Sequence, residues 1–128
     1  MERQPVPFFV RDLEGLLDDA RREFGHFLST APENLAWVPN ATTAVNAVLR
    51  SLEFRPGDEL LTTNHEYNAC RNVLEYVAAR SGARVVVAPV PFPLIHPAQV
   101  MEAVIGRVTK RTRLALLDHV TSQTALVL

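Results

Sequence analysis

Apolar residues at Leu13, Leu16, Leu17, Ala20, Phe24, Phe27 and Leu28 recur at intervals of three and four, with Asp12, Glu14, Asp18, Asp19, Arg21 and Arg22 between them. That period predicts an amphipathic helix ending near Ser29. After the polar turn Pro32-Glu33-Asn34, the apolar run Leu35–Val38, stopped by Pro39-Asn40, predicts a buried strand. Val45, Val48, Leu49 and Leu52 form a second helical stripe behind a Thr-rich start, and Arg55-Pro56-Gly57-Asp58 closes it with turn residues. The cycle then repeats. Glu59–Thr63 is a strand, and Cys70, Val73, Leu74 and Val77 mark a helix that stops at Ser81-Gly82. Arg84–Ala88 is a β-branched strand, Pro97 suits a first helical turn, Val100, Val104, Ile105 and Val108 form its face, and Arg113–Leu117 is a fourth strand. Met1–Pro7 reads as a loose lead-in. The three prolines within Pro89–Leu94 remove donors and fix φ, which suits neither helix nor ordinary strand.

Strands that are apolar on both faces and alternate with helices require cover on both sides of the sheet. The predicted fold is α/β, a three-layer α/β/α arrangement with a mainly parallel sheet and right-handed crossovers. At 128 residues and 48% hydrophobic content the chain is sized for one core. Its 13 basic and 14 acidic residues leave a net charge of -1 with no basic block, which argues against nucleic acid or anionic lipid as a partner. The longest apolar stretches fall far short of the ~20 residues of a membrane span. The single Cys70 forms no internal disulfide, and a cytoplasmic location is expected.

In a parallel sheet ligands collect beyond the C-terminal strand ends, where loops meet helix N-termini. Three loops there are rich in polar groups: Asn40-Ala41-Thr42-Thr43, Asn64–Asn68, and Asp118–Thr124. The first is either an ordinary helix cap or an anion cradle built from free N–H groups and threonine hydroxyls. His65 is either a cap histidine or a ring over the strand ends that stacks, donates or accepts. Phe92, in the Pro-rich connection, either covers a ligand or simply rides over the sheet edge. No metal site is expected: Glu66 follows His65, but the HExxH spacing is absent. Ser122 lacks the glycine-flanked elbow of a nucleophilic serine.

Phe8-Phe9-Val10-Arg11, Trp37 to Asn46, Thr63-Asn64-His65-Glu66-Tyr67 and Leu117 to Ser122 together resemble the class V aminotransferase-like enzymes of fold type I, especially the isopenicillin N epimerase-like branch. The resemblance runs from about Gln4 to Leu128. It implies pyridoxal 5'-phosphate, a large cofactor domain, a smaller C-terminal domain, a homodimer, and an amino acid or small amine as substrate. Carried over, Ala41, Thr42 and Thr43 hold the cofactor phosphate, and His65 stacks on the pyridine ring and assists proton transfer. Ser122 lies near the phenolic oxygen, where desulfurase-like relatives usually have Asn.

The family's Schiff-base lysine has one candidate, Lys110, the only lysine in the chain. It precedes the fourth strand, at the wrong edge of the sheet. A side chain of about 6 Å does not cross a strand of five residues at ~3.3 Å each. The chain is therefore expected to be part of the cofactor domain, without the lysine-bearing half, and inactive by itself. The alternative is a small non-catalytic α/β module that binds a phosphorylated ligand or a protein partner.

Overall fold

The computed structural model describes residues 4–128, so Met1–Arg3 of the expected lead-in lie outside the described residues. Two compact units emerge, Met1–Pro39 and Asn40–Leu128. In the first, the rest of the expected lead-in is helical: a turn α1, Pro5–Pro7, passes through a π-helical turn, Phe8–Asp12, into α2, Leu13–Leu28. Proline at the first helical position lacks only an N–H that would have gone unpaired there. Asp18–Arg21 and Asp19–Arg22 pair one turn apart on the solvent face of α2. Ser29 ends the helix at φ 54°, and Thr30 N–H returns to the Gly25 carbonyl at 2.9 Å. A Cβ on Gly25 would lie 2.9 Å from the Thr30 oxygen, so this close return requires glycine.

Leu35–Val38 is not a strand. A single 3-10 turn, Pro32–Asn34, precedes it, and the run is extended but unpaired. Nor is it buried, Ala36, Trp37 and Val38 being exposed; its contact is with α2, where the Trp37 indole N–H donates to the Leu17 carbonyl at 3.2 Å and the ring stacks on Phe24 with centroids 6.4 Å apart. A short apolar run alone does not choose between pairing in a sheet and lying against a helix.

The second unit carries the βα cycle: α3 (Ala41–Ser51), β1 (Glu59–Thr63), α4 (Asn68–Ser81), β2 (Arg84–Ala88), α5 (Ala98–Ile105) and β3 (Thr112–Ala115). The three strands are parallel in the order β2-β1-β3. Central β1 is buried at all five positions, as a strand covered on both faces must be. Leu60, flanked by Val85 and Leu114, packs on Leu49 of α3 and Val73, Leu74 and Val77 of α4. The β2-to-β3 connection carries α5, which a right-handed crossover puts on the opposite face. There Val100, Met101 and Val104 share a hollow with Leu117 and Leu128. Val108, assigned to this helix face by spacing, lies beyond the helix end and is exposed.

At the N-terminal edge of the sheet, Glu59 is a buried carboxylate with full compensation. Its oxygens accept from Thr109 Oγ1 at 2.6 Å, Arg84 at 2.5 Å and Arg111 at 3.0 Å. These bonds, Thr109 first and Arg84 next, hold it down to about 2. Lys110 sits in the turn beside this cluster, since Thr112 pairs with Glu59. The expectation that it lies at the edge opposite the strand ends holds.

Candidate functional site

The C-terminal strand ends gather the polar loops. Asn40 caps α3: its Oδ1 accepts from Thr43 N–H at 2.8 Å and from Thr43 Oγ1 at 3.0 Å. The N–H groups of Ala41 and Thr42 meet no acceptor among the described residues. Ala41 and Thr43 are exposed, while Thr42 is half-buried with its hydroxyl beside the Cys70 thiol on the first turn of α4. The α3 N-terminus is thus a free pair of donors next to the start of α4.

The loop after β1 is fixed by the Pro-rich connection. Asn64 donates to the Val90 carbonyl at 3.1 Å and accepts Val90 N–H at 2.8 Å, an amide clamp between β1 and the chain after β2. His65 is 5% exposed. Its Nε2 lies 3.0 Å from the Val90 carbonyl and its Nδ1 3.3 Å from Thr124 Oγ1, so both ring nitrogens have partners. Phe92 stands edge-on to the imidazole with centroids 6.2 Å apart and is itself 59% exposed. The Pro-rich segment therefore packs over the histidine.

The loop after β3 closes the arrangement. Asp118 Oδ2 accepts from Tyr67 N–H at 3.1 Å. Thr121, buried, lies 2.8 Å from Thr124 through their hydroxyls, and its Oγ1 accepts Leu126 N–H at 2.9 Å. Ser122 is exposed on the same turn. The structure thus brings His65 and the Thr121–Thr124 turn into direct contact, and places Thr42 at the same strand ends through Cys70 and α4.

Glu66 is the residue that sequence reasoning passed over. It is buried and accepts from Thr62 Oγ1 at 3.0 Å. Burial, with the Asp118 carboxylate adding to it, pushes its carboxyl above the usual range, and the Thr62 hydroxyl opposes the shift. Burial also raises the Cys70 thiol, and the Glu66 and Asp118 carboxylates push the same way. The available signal was the Thr62-x-x-x-Glu66 spacing across a tight strand-to-helix turn, which brings the two side chains together.

The aminotransferase class-V family model matches residues 9–127. The chain is 38% identical to an isopenicillin N epimerase of Amycolatopsis lactamdurans over all of its own length and 33% of that protein's. It is 34% identical to the isopenicillin N epimerase of Streptomyces clavuligerus, over 98% of this chain and 31% of the relative. A probable chloroplastic L-cysteine desulfhydrase of Arabidopsis thaliana is 30% identical over 98% of this chain and 30% of its own. Among solved structures, the cystine C-S lyase C-DES in complex with cysteine persulfide superposes with a TM-score of 0.81 at 26% identity, covering 90% of this chain and 30% of that one. A C-DES mutant with glycine covalently linked to its PLP cofactor gives a TM-score of 0.78 at 27% identity, with the same coverage. The chain spans about a third of the length of the curated relatives it matches. With 119 consecutive positions under one family model and α/β topology to match, the chain belongs to the class-V aminotransferase family.

Proposed function

We propose that this chain is the phosphate-holding and ring-holding part of a pyridoxal 5'-phosphate enzyme that acts on an amino acid or small amine. The observation that carries the reading is the free donor pair at Ala41 and Thr42, set at the same strand ends as the buried His65. The donor set fits the group. Two backbone N–H groups at the positive end of α3, with the Thr43 hydroxyl one rotation away, suit a phosphate dianion. His65, held at both nitrogens, suits a fixed aromatic platform for a pyridine ring better than a freely moving acid or base. Ser122, exposed on the turn that contacts His65, is assigned to the phenolic side of the cofactor.

The cofactor, when bound, supplies an electron sink for a carbanion at the substrate's Cα. This chain's residues bind and orient it: Ala41, Thr42 and Thr43 anchor its phosphate, His65 backs its ring, and Val90 and Phe92 hold the histidine in place. The amine that carries the cofactor is assigned to another part of a longer protein, because Lys110 lies beside Glu59 at the far end of β1. In this reading residues 1–128 are part of a larger cofactor domain, with the lysine-bearing half and a smaller domain supplied beyond them. Homodimerisation is supported by the exposed Phe9, Phe27, Ile95 and Val127, and a cytoplasmic setting by the free thiol of Cys70.

Titration of the purified chain with pyridoxal 5'-phosphate, followed by absorbance, tests the proposal, with K110A used throughout to remove adventitious imine formation. Saturable binding that inorganic phosphate competes away and that unphosphorylated pyridoxal does not reproduce is the expected result. A41P removes one donor at a helical position that accepts proline, after an Asn40 already extended at φ -166° and ψ 167°. It weakens binding with helix content unchanged. Equal binding of pyridoxal and its phosphate would reject the proposal.

A further inference from the structure

The histidine at this site is held between a backbone carbonyl that fixes which nitrogen carries its proton and a chain of hydroxyl groups on the other nitrogen. The Val90 carbonyl, 3.0 Å from His65 Nε2, has no proton to give, so Nε2 must be the N–H. In the neutral ring Nδ1 is then an acceptor, and Thr124 Oγ1 at 3.3 Å is its donor. With the Thr124 proton given to Nδ1, the Thr124 oxygen accepts from Thr121 Oγ1 at 2.8 Å, an acceptor closer to that hydroxyl than the Leu126 carbonyl at 3.4 Å. Thr121 Oγ1 accepts from Leu126 N–H at 2.9 Å, a donor that cannot reverse. The relay therefore begins at a backbone amide and ends at a backbone carbonyl, with the imidazole between. Thr121 and His65 are 1% and 5% exposed, so water does not readily replace Thr121, while Thr124 between them is half-buried.

We propose that Thr124 is a positioning residue for His65: its hydroxyl, oriented by Thr121, donates to Nδ1 of the Nε2–H tautomer that the Val90 carbonyl selects, and holds the imidazole at one ring angle. The inference rests on the proposed cofactor reading for its purpose, since a ring held at both ends presents a constant face to a planar ligand. Its geometry stands without the cofactor. The two threonines do for the ring what no single contact does: Val90 alone leaves it free to swing about the Nε2 bond, and Thr124 removes that freedom.

The test is a long-range proton–nitrogen NMR spectrum of the histidine rings in the cofactor-free chain, at a pH above the usual imidazole range, with H65Q used to assign the signals. The expected spectrum has His65 in one tautomer, protonated at Nε2, with Nδ1 shifted by an accepted hydrogen bond. T124V loses that shift, and T124S restores it. A proton on Nδ1 in the wild-type chain, or an Nδ1 signal that T124V leaves unmoved, would overturn the proposal. If T124V does not fold, the wild-type tautomer and the T124S spectrum still decide. Because no cofactor is added, failure here is distinct from failure of the pyridoxal phosphate titration, and either reading can fall alone.

Discussion

Asp118, just past the end of β3, accepts a hydrogen bond from the backbone N–H of Tyr67 at 3.1 Å, binding the last strand to the loop that carries His65 across 51 positions of sequence. The bond joins the loops that leave two neighbouring strands, β1 and β3, and it uses a carboxylate where a neutral acceptor would serve less strongly. Asp118→Ala leaves the Tyr67 amide without that acceptor. The expected cost is about 1 kcal/mol in urea unfolding, with Asp118→Asn recovering part of it. Faster hydrogen exchange at Tyr67 in the alanine variant would locate the loss.

Glu66 makes the stability of the fold fall on the alkaline side of the carboxylate range. Its folded carboxyl titrates above its unfolded one, chiefly because it is buried. Its contribution is fully present below the unfolded value and is lost as pH rises through the folded one. E66Q keeps an acceptor for Thr62 and removes the charge. Urea unfolding across pH should show the variant matching the wild type in acid and exceeding it near neutrality.

Glu59 works in the opposite sense. Thr109 and Arg84 hold its folded value at about 2, below the ordinary glutamate range. The stabilisation is fully present above the unfolded value and disappears as pH falls from that value through the folded one. E59Q should lower the urea midpoint at neutral pH and flatten the acid limb of the same curve. An acid limb unchanged by E59Q would contradict the role assigned to Glu59.

Ala125 has φ 53°, in the left-handed region where a Cβ is unfavourable, at the turn that brings Thr121 to Leu126. Glycine accepts that conformation without strain but gains freedom in the unfolded chain. The net expectation for A125G is stabilisation by about 0.5 kcal/mol, read from the thermal midpoint. The His65 ring signals should not move, because the relay through Thr121 and Thr124 is kept.

How much of this was legible in the sequence depends on the range of the interaction. The stripes Leu13–Leu28, Val45–Leu52 and Cys70–Val77 and the strands at Glu59 and Arg84 are local patterns, and each element formed where its period lay. Leu35–Val38 failed because the choice between pairing with a strand and packing on α2 rests on a distant surface, here Leu17 and Phe24. The loops at His65 and Asp118 could be placed on one rim by the βα cycle, whereas the Asn40 loop follows no strand and reaches that rim because α3 packs on α4. The partners of His65 could not, since Val90 and Thr124 are 25 and 59 positions away. Glu66 was weighed only as a metal ligand beside His65, because its burial against Thr62 follows from a turn that the local pattern does not reveal.

The five residues of β1 separate two kinds of work. One end, at Glu59, is a charge lock; the other, at Thr63, opens onto the hydroxyl and amide groups around His65. About 13 Å of buried strand lies between them at ~3.3 Å per residue, a separation at which substitutions act independently. A lineage can therefore revise the chemistry at one end while the foundation at the other stays untouched, so a single scaffold is free to host divergent reactions.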